Sequence, residues 1–539
     1  MQTKASGKYF DTFGVMLDCS RGAVYKKETV EKFIDFLSAA GYNMLQLYTE
    51  DVYEVDGEPY FGYLRGRYSK EELKELDAYA ASKGIELVPC IQTLAHLNGI
   101  ARWSAYAEII DVGDILFAGE DRVYELIDKM FRTCAECFTS RRINIGMDEA
   151  HMVGLGKYLD KHGYRNRFQI LYDHLKKVIA IGEKYGFKPM MWSDMFFRLA
   201  NKGLYYAEDP DLGQDVIDAV PENVGLVYWD YYSKEQSTYD KMIRAHKKFK
   251  NEVWFAGGAW AWAGNTPHND FSIRTTELAI RSCIENGVRN AFITCWKDNG
   301  AESSIWGILP SLVWAAQCSR GDFDMENCKR VFREIVGESF DDFMLLDLPD
   351  RLSEEFRIIT PAKYILYADP FMGVFDWHMR SEMEGKYKDF AARLAAKADM
   401  KEYGYVFRTL SDLCGFLSVK CTLGVHTREL YRKGDKKALR ALAEKDYTAA
   451  SEALARFYDS FEAQWRTESK ENGFEAIDVR IGGQAARLKH CKKMLLDYCD
   501  GKISKIEPLE EEILPVHPGS EKGSDLSYNN WLQSAIINS

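Results

Sequence analysis

Asn144-Ile-Gly-Met-Asp148-Glu149-Ala-His151 is the stretch on which the reading of this chain turns. Two adjacent carboxylic acids close a short apolar run, Arg142-Ile-Asn-Ile-Gly-Met147, of strand length. Acids at the end of a buried strand are destabilising unless they are paired or chemically employed. Taken alone, the run fits equally a strand that ends in a solvated Asp-Glu turn. The flanking chain decides between the two.

A strand-then-helix rhythm runs on both sides of it. Phe13-Gly-Val-Met-Leu-Asp18 is followed by Val30, Phe33, Ile34 and Leu37 at i, i+3, i+4, i+7, one face of a helix stopped at Gly41. Asn43 to Tyr48 is a second strand. Ser69-Lys-Glu-Glu72 is a capping box opening the next helix. Ile85 to Cys90, the opening stretch, Lys188 to Trp192, Val224 to Trp229, Val253 to Ala256 and Ala291 to Trp296 continue the series, with a helical pattern marked after each but Lys188 to Trp192. Eight such units in roughly 310 residues predict an α/β fold, a closed parallel (β/α)8 TIM barrel. A doubly wound open sheet is the alternative. It usually carries a Gly-rich phosphate turn after its first strand, and Asp18-Cys-Ser-Arg-Gly-Ala is no G-x-G-x-x-G.

The expected division is a catalytic barrel over 1–320, an α-helical domain over 321–505 and an extended tail over 506–539. Long helical patterns, Lys436 to Trp465 and Ala476 to Tyr498, mark the second part. It either covers a barrel face or forms a homodimer contact.

The chain of 539 residues has a net charge of −12, which argues against nucleic acid or an anionic membrane as partner and favours a small neutral or cationic substrate. It has no run of apolar residues long enough for a spanning helix. The N-terminus, Met1 to Lys8, lacks the apolar core of a signal peptide. Twelve scattered cysteines read as reduced thiols of a cytoplasmic protein, and Cys134-x-x-Cys137 lies in a helical pattern with no second cysteine pair near it.

In a barrel of this kind chemistry sits at the C-terminal ends of the strands. Those positions hold Asp18, Glu50, Asp51, His96, Asp148, Glu149, Trp192, Asp194, Trp229, Tyr231, Tyr232, Trp260, Trp262, Trp296, Asp298 and Glu302. Carboxylates and tryptophans recur. Aromatic faces stack on the apolar face of a sugar, carboxylates accept from its hydroxyls, and a carboxylic acid protonates a glycosidic oxygen. A catalytic metal normally needs clustered histidines, and the ten histidines form no H-x-H or H-E-x-x-H. No metal and no cofactor are expected.

These residues resemble the family 20 glycoside hydrolases, the β-N-acetylhexosaminidases, in particular a bacterial subgroup with a helical C-terminal domain. Gly146-Met-Asp148-Glu149 resembles the family's G-x-D-E, Gly14 to Arg21 its first strand, Trp192 and Trp229 its aromatic walls, and Trp296-Lys-Asp298 its W-x-E with Asp for Glu. His96, with Glu50 or Asp51, resembles its histidine–acid pair. The resemblance implies exo-acting removal of terminal non-reducing β-linked GlcNAc or GalNAc, with the substrate's own acetamido oxygen as nucleophile. Asp148 would orient the acetamido group and stabilise the oxazolinium, and Glu149 would be general acid, then base. Asp18, His96, Trp192, Trp229, Tyr231, Trp260, Trp296, Asp298 and Glu302 are the implied substrate-binding residues. Two departures stand out. The arginine that usually precedes the strand-one glycine is Phe13, leaving Asp298 and Glu302 as candidates for hydroxyl recognition. The acetamido-contacting tyrosine after strand seven is replaced by Gly258-Ala-Trp260-Ala-Trp262, with Tyr231 or Tyr232 as substitutes. Two other readings are a barrel glycosidase of different specificity, with Asp194 or Asp298 as a protein nucleophile, and a sugar-binding barrel without turnover.

Overall fold

Eight parallel strands close into a barrel: β1 (Thr12–Asp18), β2 (Met44–Glu50), β3 (Glu86–Ile91), β4 (Arg142–Asn144), β5 (Lys188–Trp192), β6 (Gly225–Trp229), β7 (Val253–Gly258) and β8 (Asn290–Cys295). Each pairs with its sequence neighbours, and β1 pairs with β8 to complete the ring. The computed structural model describes residues 9–206, 212–298, 300–352 and 360–514.

The strands are buried on both faces, which is why they read as continuous apolar runs rather than alternating ones. Gly14 of β1 meets β2 so closely that a Cβ there would stand 2.6 Å from Met44 Cε. Each strand is followed by a helix: α1 (Lys27–Ala40), α2 (Lys70–Ser82), α3 (Asp121–Cys137), α4 (Arg167–Lys184), α5 (Asp194–Ala200), α6 (Gln236–His246), α7 (Asn269–Glu285) and α8 (Leu309–Cys318). In α1 the spacing of Val30, Phe33, Ile34 and Leu37 buries all four, each contributing about 1.5–3 kcal/mol. The capping box of α2 is reciprocal, with Ser69 Oγ accepting from Glu72 N–H at 3.1 Å and Glu72 Oε2 accepting from Ser69 N–H at 2.8 Å.

Two features differ from the sequence reading. The apolar run before the acid pair is not strand throughout. β4 stops at Asn144, because Gly146 and Met147 both turn to φ +71°. The connection from β3 to α3 also carries structure of its own, a helical turn Asn98–Ala101, a 3-10 turn Ser104–Ile109 and a small hairpin of Ile110–Val112 with Ile115–Leu116.

The chain divides into two units. The first is the barrel, 9–259 with Asp270–Trp296 and Pro310–Glu338. The second takes in Trp260–Asn269, Lys297–Leu309 and the chain from Ser339. It is helical: Glu382–Ala395 packs on Gly404–Lys420, that on the 33-residue helix Lys436–Glu468, and that on Phe474–Cys499. Glu507–Glu510 is a helical turn with Leu509 buried. Residues 515–539 of the segment read as a tail, including Tyr528 to Leu532, lie outside the described residues. No helix among the described residues is long and apolar enough to cross a membrane.

Candidate active site

The turn that ends β4 is held in an unusual backbone shape. Gly146, Met147 and Glu149 have φ of +71°, +71° and +50°. Glu50 at the end of β2 and His96 in the loop after β3 also lie in the left-handed region, at +46° and +57°. Non-glycine residues there carry about 1–3 kcal/mol of strain each, and such strain persists only where the surroundings over-determine the conformation. Glycine is required at 146 on a second ground. A Cβ would stand 2.0 Å from Gln92 Oε1.

The result turns two adjacent acids to different environments. Asp148 is 8% exposed, whereas the Glu149 side chain is 41% exposed. Asp148 Oδ1 accepts from Gln92 Nε2 at 2.7 Å, and its Oδ2 lies 3.2 Å from His96 Nε2. Burial works against the Asp148 carboxylate, but the charge and hydrogen bond of His96 and the hydrogen bond of Gln92 hold it below the ordinary range. Burial likewise opposes the charged ring of His96, and Asp148 overrides it, raising His96 to about 9. Behind them Gln92 Nε2 also donates to Tyr48 Oη at 3.0 Å, and Tyr48 Oη donates to Glu50 Oε1 at 3.0 Å. Burial lifts Glu50 to about 7, with Arg21 and His96 restraining the rise.

Glu149 is flanked on both carboxylate oxygens. His96 Nε2 is 3.8 Å from Oε2, and an Arg198 guanidinium nitrogen is 3.6 Å from Oε1. The Glu149 N–H donates to Asp194 Oδ2 at 3.2 Å. Asp194 is fully buried, and burial with the nearby charge of Asp148 lifts it to about 7.

An aromatic wall completes the arrangement. Trp192 and Trp296 lie with ring centroids 5.9 Å apart. Trp296 Nε1 donates to Tyr231 Oη at 3.0 Å, and Tyr231 stacks on Trp229 at 5.4 Å and 21°. Tyr48 meets Trp296 edge-on at 4.7 Å. Arg21 sits over both Tyr48 and Trp296, 5.8 Å from each ring, and lies 3.4 Å from Glu50 and 3.6 Å from Asp18.

The barrel unit therefore brings together His96, Asp148, Glu149, Trp192, Trp229, Tyr231 and Trp296. Asp18 belongs to the same unit but is fully buried, its Oδ1 accepting from Ser20 N–H and Oγ at 2.9 and 2.8 Å. Trp260, Asp298 and Glu302 belong to the helical unit. There Trp260 stacks on Trp262 at 4.5 Å, and Asp298 is half-buried. Glu302 is buried, paired with Lys363 at 2.7 Å and Arg480 at 3.1 Å.

Sequence reasoning left out Gln92, Arg198 and Arg21. The signal for Arg198 was present: it follows Asp194 by four residues at the start of a helix, the spacing that puts two side chains on one face. Arg21, three residues beyond Asp18, closes the quoted first-strand motif. Gln92 had no such signal. Among the described residues no group of three or more His, Cys, Asp or Glu is disposed to hold a metal.

A barrel with an acid pair and a tryptophan wall at its strand ends is built as the glycoside hydrolases are. Within that class this chain belongs to family 20. "Glycosyl hydrolase family 20, catalytic domain" matches residues 10–251, and "Glycoside Hydrolase 20C C-terminal domain" matches 341–527. Similar proteins include hexosaminidase D of Homo sapiens, 26% identical over an alignment of 350 residues, which covers 59% of this chain and 68% of that one. Hexosaminidase D of Bos taurus is 24% identical over 346 residues, covering 59% of this chain and 95% of that one. Among solved structures, the GH20 exo β-N-acetylglucosaminidase of Vibrio harveyi in complex with N-acetylglucosamine aligns with a TM-score of 0.47 at 15% identity, over 63% of this chain. The alignment spans 58% of that enzyme's length.

Proposed function

We propose that this chain is an exo-acting β-N-acetylhexosaminidase, removing terminal non-reducing β-linked N-acetylglucosamine or N-acetylgalactosamine with retention, by substrate-assisted hydrolysis. The observation that carries the reading is the division between Asp148 and Glu149. One acid is buried, ionised and fixed by Gln92 and His96; its neighbour is reachable from solvent.

The chemistry follows from that division. The 2-acetamido oxygen of the substrate attacks the anomeric carbon. Asp148 accepts a hydrogen bond from the acetamido N–H and offsets the positive charge growing on the oxazolinium ring. Glu149 gives its proton to the glycosidic oxygen as the bond breaks, and the aglycone leaves as an alcohol. Water, deprotonated by Glu149, then opens the oxazolinium, which restores the acetamido group and the acid. Trp229 and Trp296 are the candidate apolar faces against which a pyranose packs, and the fully buried Trp192 supports Trp296. Tyr231 is the candidate for the acetamido contact that the loop after β7 lacks.

A protein nucleophile is disfavoured by Asp194. It is fully buried, and its Oδ2 is taken by the Glu149 N–H and by Arg198. All twelve cysteines are free and eleven are buried, which supports the cytoplasm as the compartment.

The test is a panel of aryl β-glycosides: the N-acetylglucosaminide, the N-acetylgalactosaminide and the glucoside. The expected result is turnover of one or both acetamido substrates, inhibition by a thiazoline analogue of the oxazoline, and no turnover of the glucoside. Near wild-type rates in Glu149→Gln, or a preference for the glucoside, overturn the reading.

A further inference from the structure

Arg198 stands between two carboxylates. Its Nε donates to Asp194 Oδ2 at 3.0 Å, and a terminal nitrogen lies 3.6 Å from Glu149 Oε1. That same Asp194 oxygen accepts the backbone N–H of Glu149. One residue pair of α5 therefore touches the general-acid candidate at both ends, at its backbone through Asp194 and at its carboxylate through Arg198. The guanidinium has little room to move. It is 19% exposed and lies over Tyr205 at 5.7 Å and over Trp229 at 5.8 Å.

We propose that Asp194 and Arg198 are a positioning pair for Glu149, Asp194 fixing its left-handed backbone and Arg198 stabilising the carboxylate that forms when Glu149 gives up its proton to the leaving group. The inference rests on the assignment of Glu149 as general acid and deepens it.

The reasoning is electrostatic and geometric. Glu149 is faced by Asp148 and His151 from its own segment, by His96 from the loop after β3, and by Asp194 and Arg198 from α5. His96 is nearer to Asp148 than to Glu149, at 3.2 against 3.8 Å, so most of its charge serves the helper acid. A guanidinium keeps its charge in proteins. Arg198 is therefore a constant cation beside Glu149 Oε1. Such a cation favours proton transfer to the leaving group and makes the resulting carboxylate a weaker base toward water. Its benefit is concentrated on substrates whose leaving group needs protonation. A residue that merely supports the fold lowers the rate on every substrate by the same factor.

The experiment compares kcat/KM for phenyl (poor leaving group) and 2,4-dinitrophenyl (good leaving group) N-acetyl-β-glucosaminides in wild type, Arg198→Met, Arg198→Lys and Asp194→Asn. Arg198→Met should lose about 10- to 100-fold on the phenyl substrate, with a loss at least about tenfold smaller on the dinitrophenyl one. The alkaline limb of its phenyl pH profile should move to higher pH. Arg198→Lys, which keeps the charge, should recover part of the loss. Asp194→Asn keeps an acceptor for the Glu149 N–H but frees Arg198, and should show the same leaving-group dependence more weakly. If Arg198→Met does not fold, the lysine and asparagine variants carry the same comparison. Equal loss on both substrates with an unmoved alkaline limb, or no loss, overturns the pair while leaving the functional reading intact. A wild type inactive on both acetamido substrates overturns that reading, and the pair's role with it.

Discussion

Gln92 Nε2 donates to Asp148 Oδ1 at 2.7 Å, and the other end of the same amide accepts from Met147 N–H at 3.2 Å. One buried side chain thus fixes both Asp148 and the strained turn that precedes it. Gln92→Ala should lower kcat on an aryl N-acetylglucosaminide by about 10- to 100-fold with a smaller change in KM, because a misplaced group loses rate before it loses binding. Steady-state kinetics, with a thermal melt to confirm folding, checks this.

Gly146→Ala sets a Cβ 2.0 Å from Gln92 Oε1 and 2.9 Å from the Ile91 carbonyl, at φ +71°. The neighbours are a buried amide and backbone, so neither yields cheaply. A loss of at least about 2 kcal/mol in stability is expected from strain and overpacking together. Urea denaturation reads it directly, and activity should fall with it.

On the proposed mechanism, Asp148→Asn removes the charge opposite the oxazolinium while keeping the side chain's shape. The rate on acetamido substrates should drop by roughly 10²–10³-fold, and affinity for a thiazoline analogue should fall in parallel. Unchanged thiazoline affinity would count against a role for Asp148 at the acetamido group.

Stability should fall as pH rises from weakly acid to alkaline. Glu50 and Asp194 are lifted to about 7 and His96 to about 9, so in each case the folded state binds the proton more tightly than the unfolded chain. The acids lose their contribution between about pH 4 and 7. The contribution of His96 is complete below its unfolded value of 6.5 and is lost as pH climbs through about 9; it is on the order of 3 kcal/mol. Asp148, held low, acts in the opposite sense, its contribution vanishing only as pH falls below the usual carboxylate range. Chemical denaturation at about pH 5, 7 and 9 should show this decline, and His96→Asn should flatten its upper part.

Glu302 pairs with Lys363 at 2.7 Å, and both side chains are almost completely buried. Lys363→Met strips a buried carboxylate of its closest cation, which should destabilise the helical unit by about 3–5 kcal/mol. The double variant Lys363→Met, Glu302→Leu should recover much of the loss. If Glu302 instead binds sugar hydroxyls, Glu302→Gln will raise KM with little change in melting temperature, and the melt decides between the two.

The sequence by itself determined the barrel and its acid pair. Alternation of apolar runs with 3.6-period faces, and stops such as Gly41, are written over a few residues at a time, because burial and backbone sterics act locally. Asp148 and Glu149 are neighbours in the chain, so their pairing needed no fold to be seen. Even there a local reading overshot, extending β4 through Gly146 and Met147, where left-handed backbone ends it. Only the tertiary structure decided what holds the pair. Gln92 meets Asp148 across 56 residues and Asp194 meets Glu149 across 45, and no periodicity encodes such meetings. Barrel closure sets strand ends side by side, and the polar groups gathered there must then pair with whatever closure brings within reach, since an unpaired buried charge is too destabilising to persist.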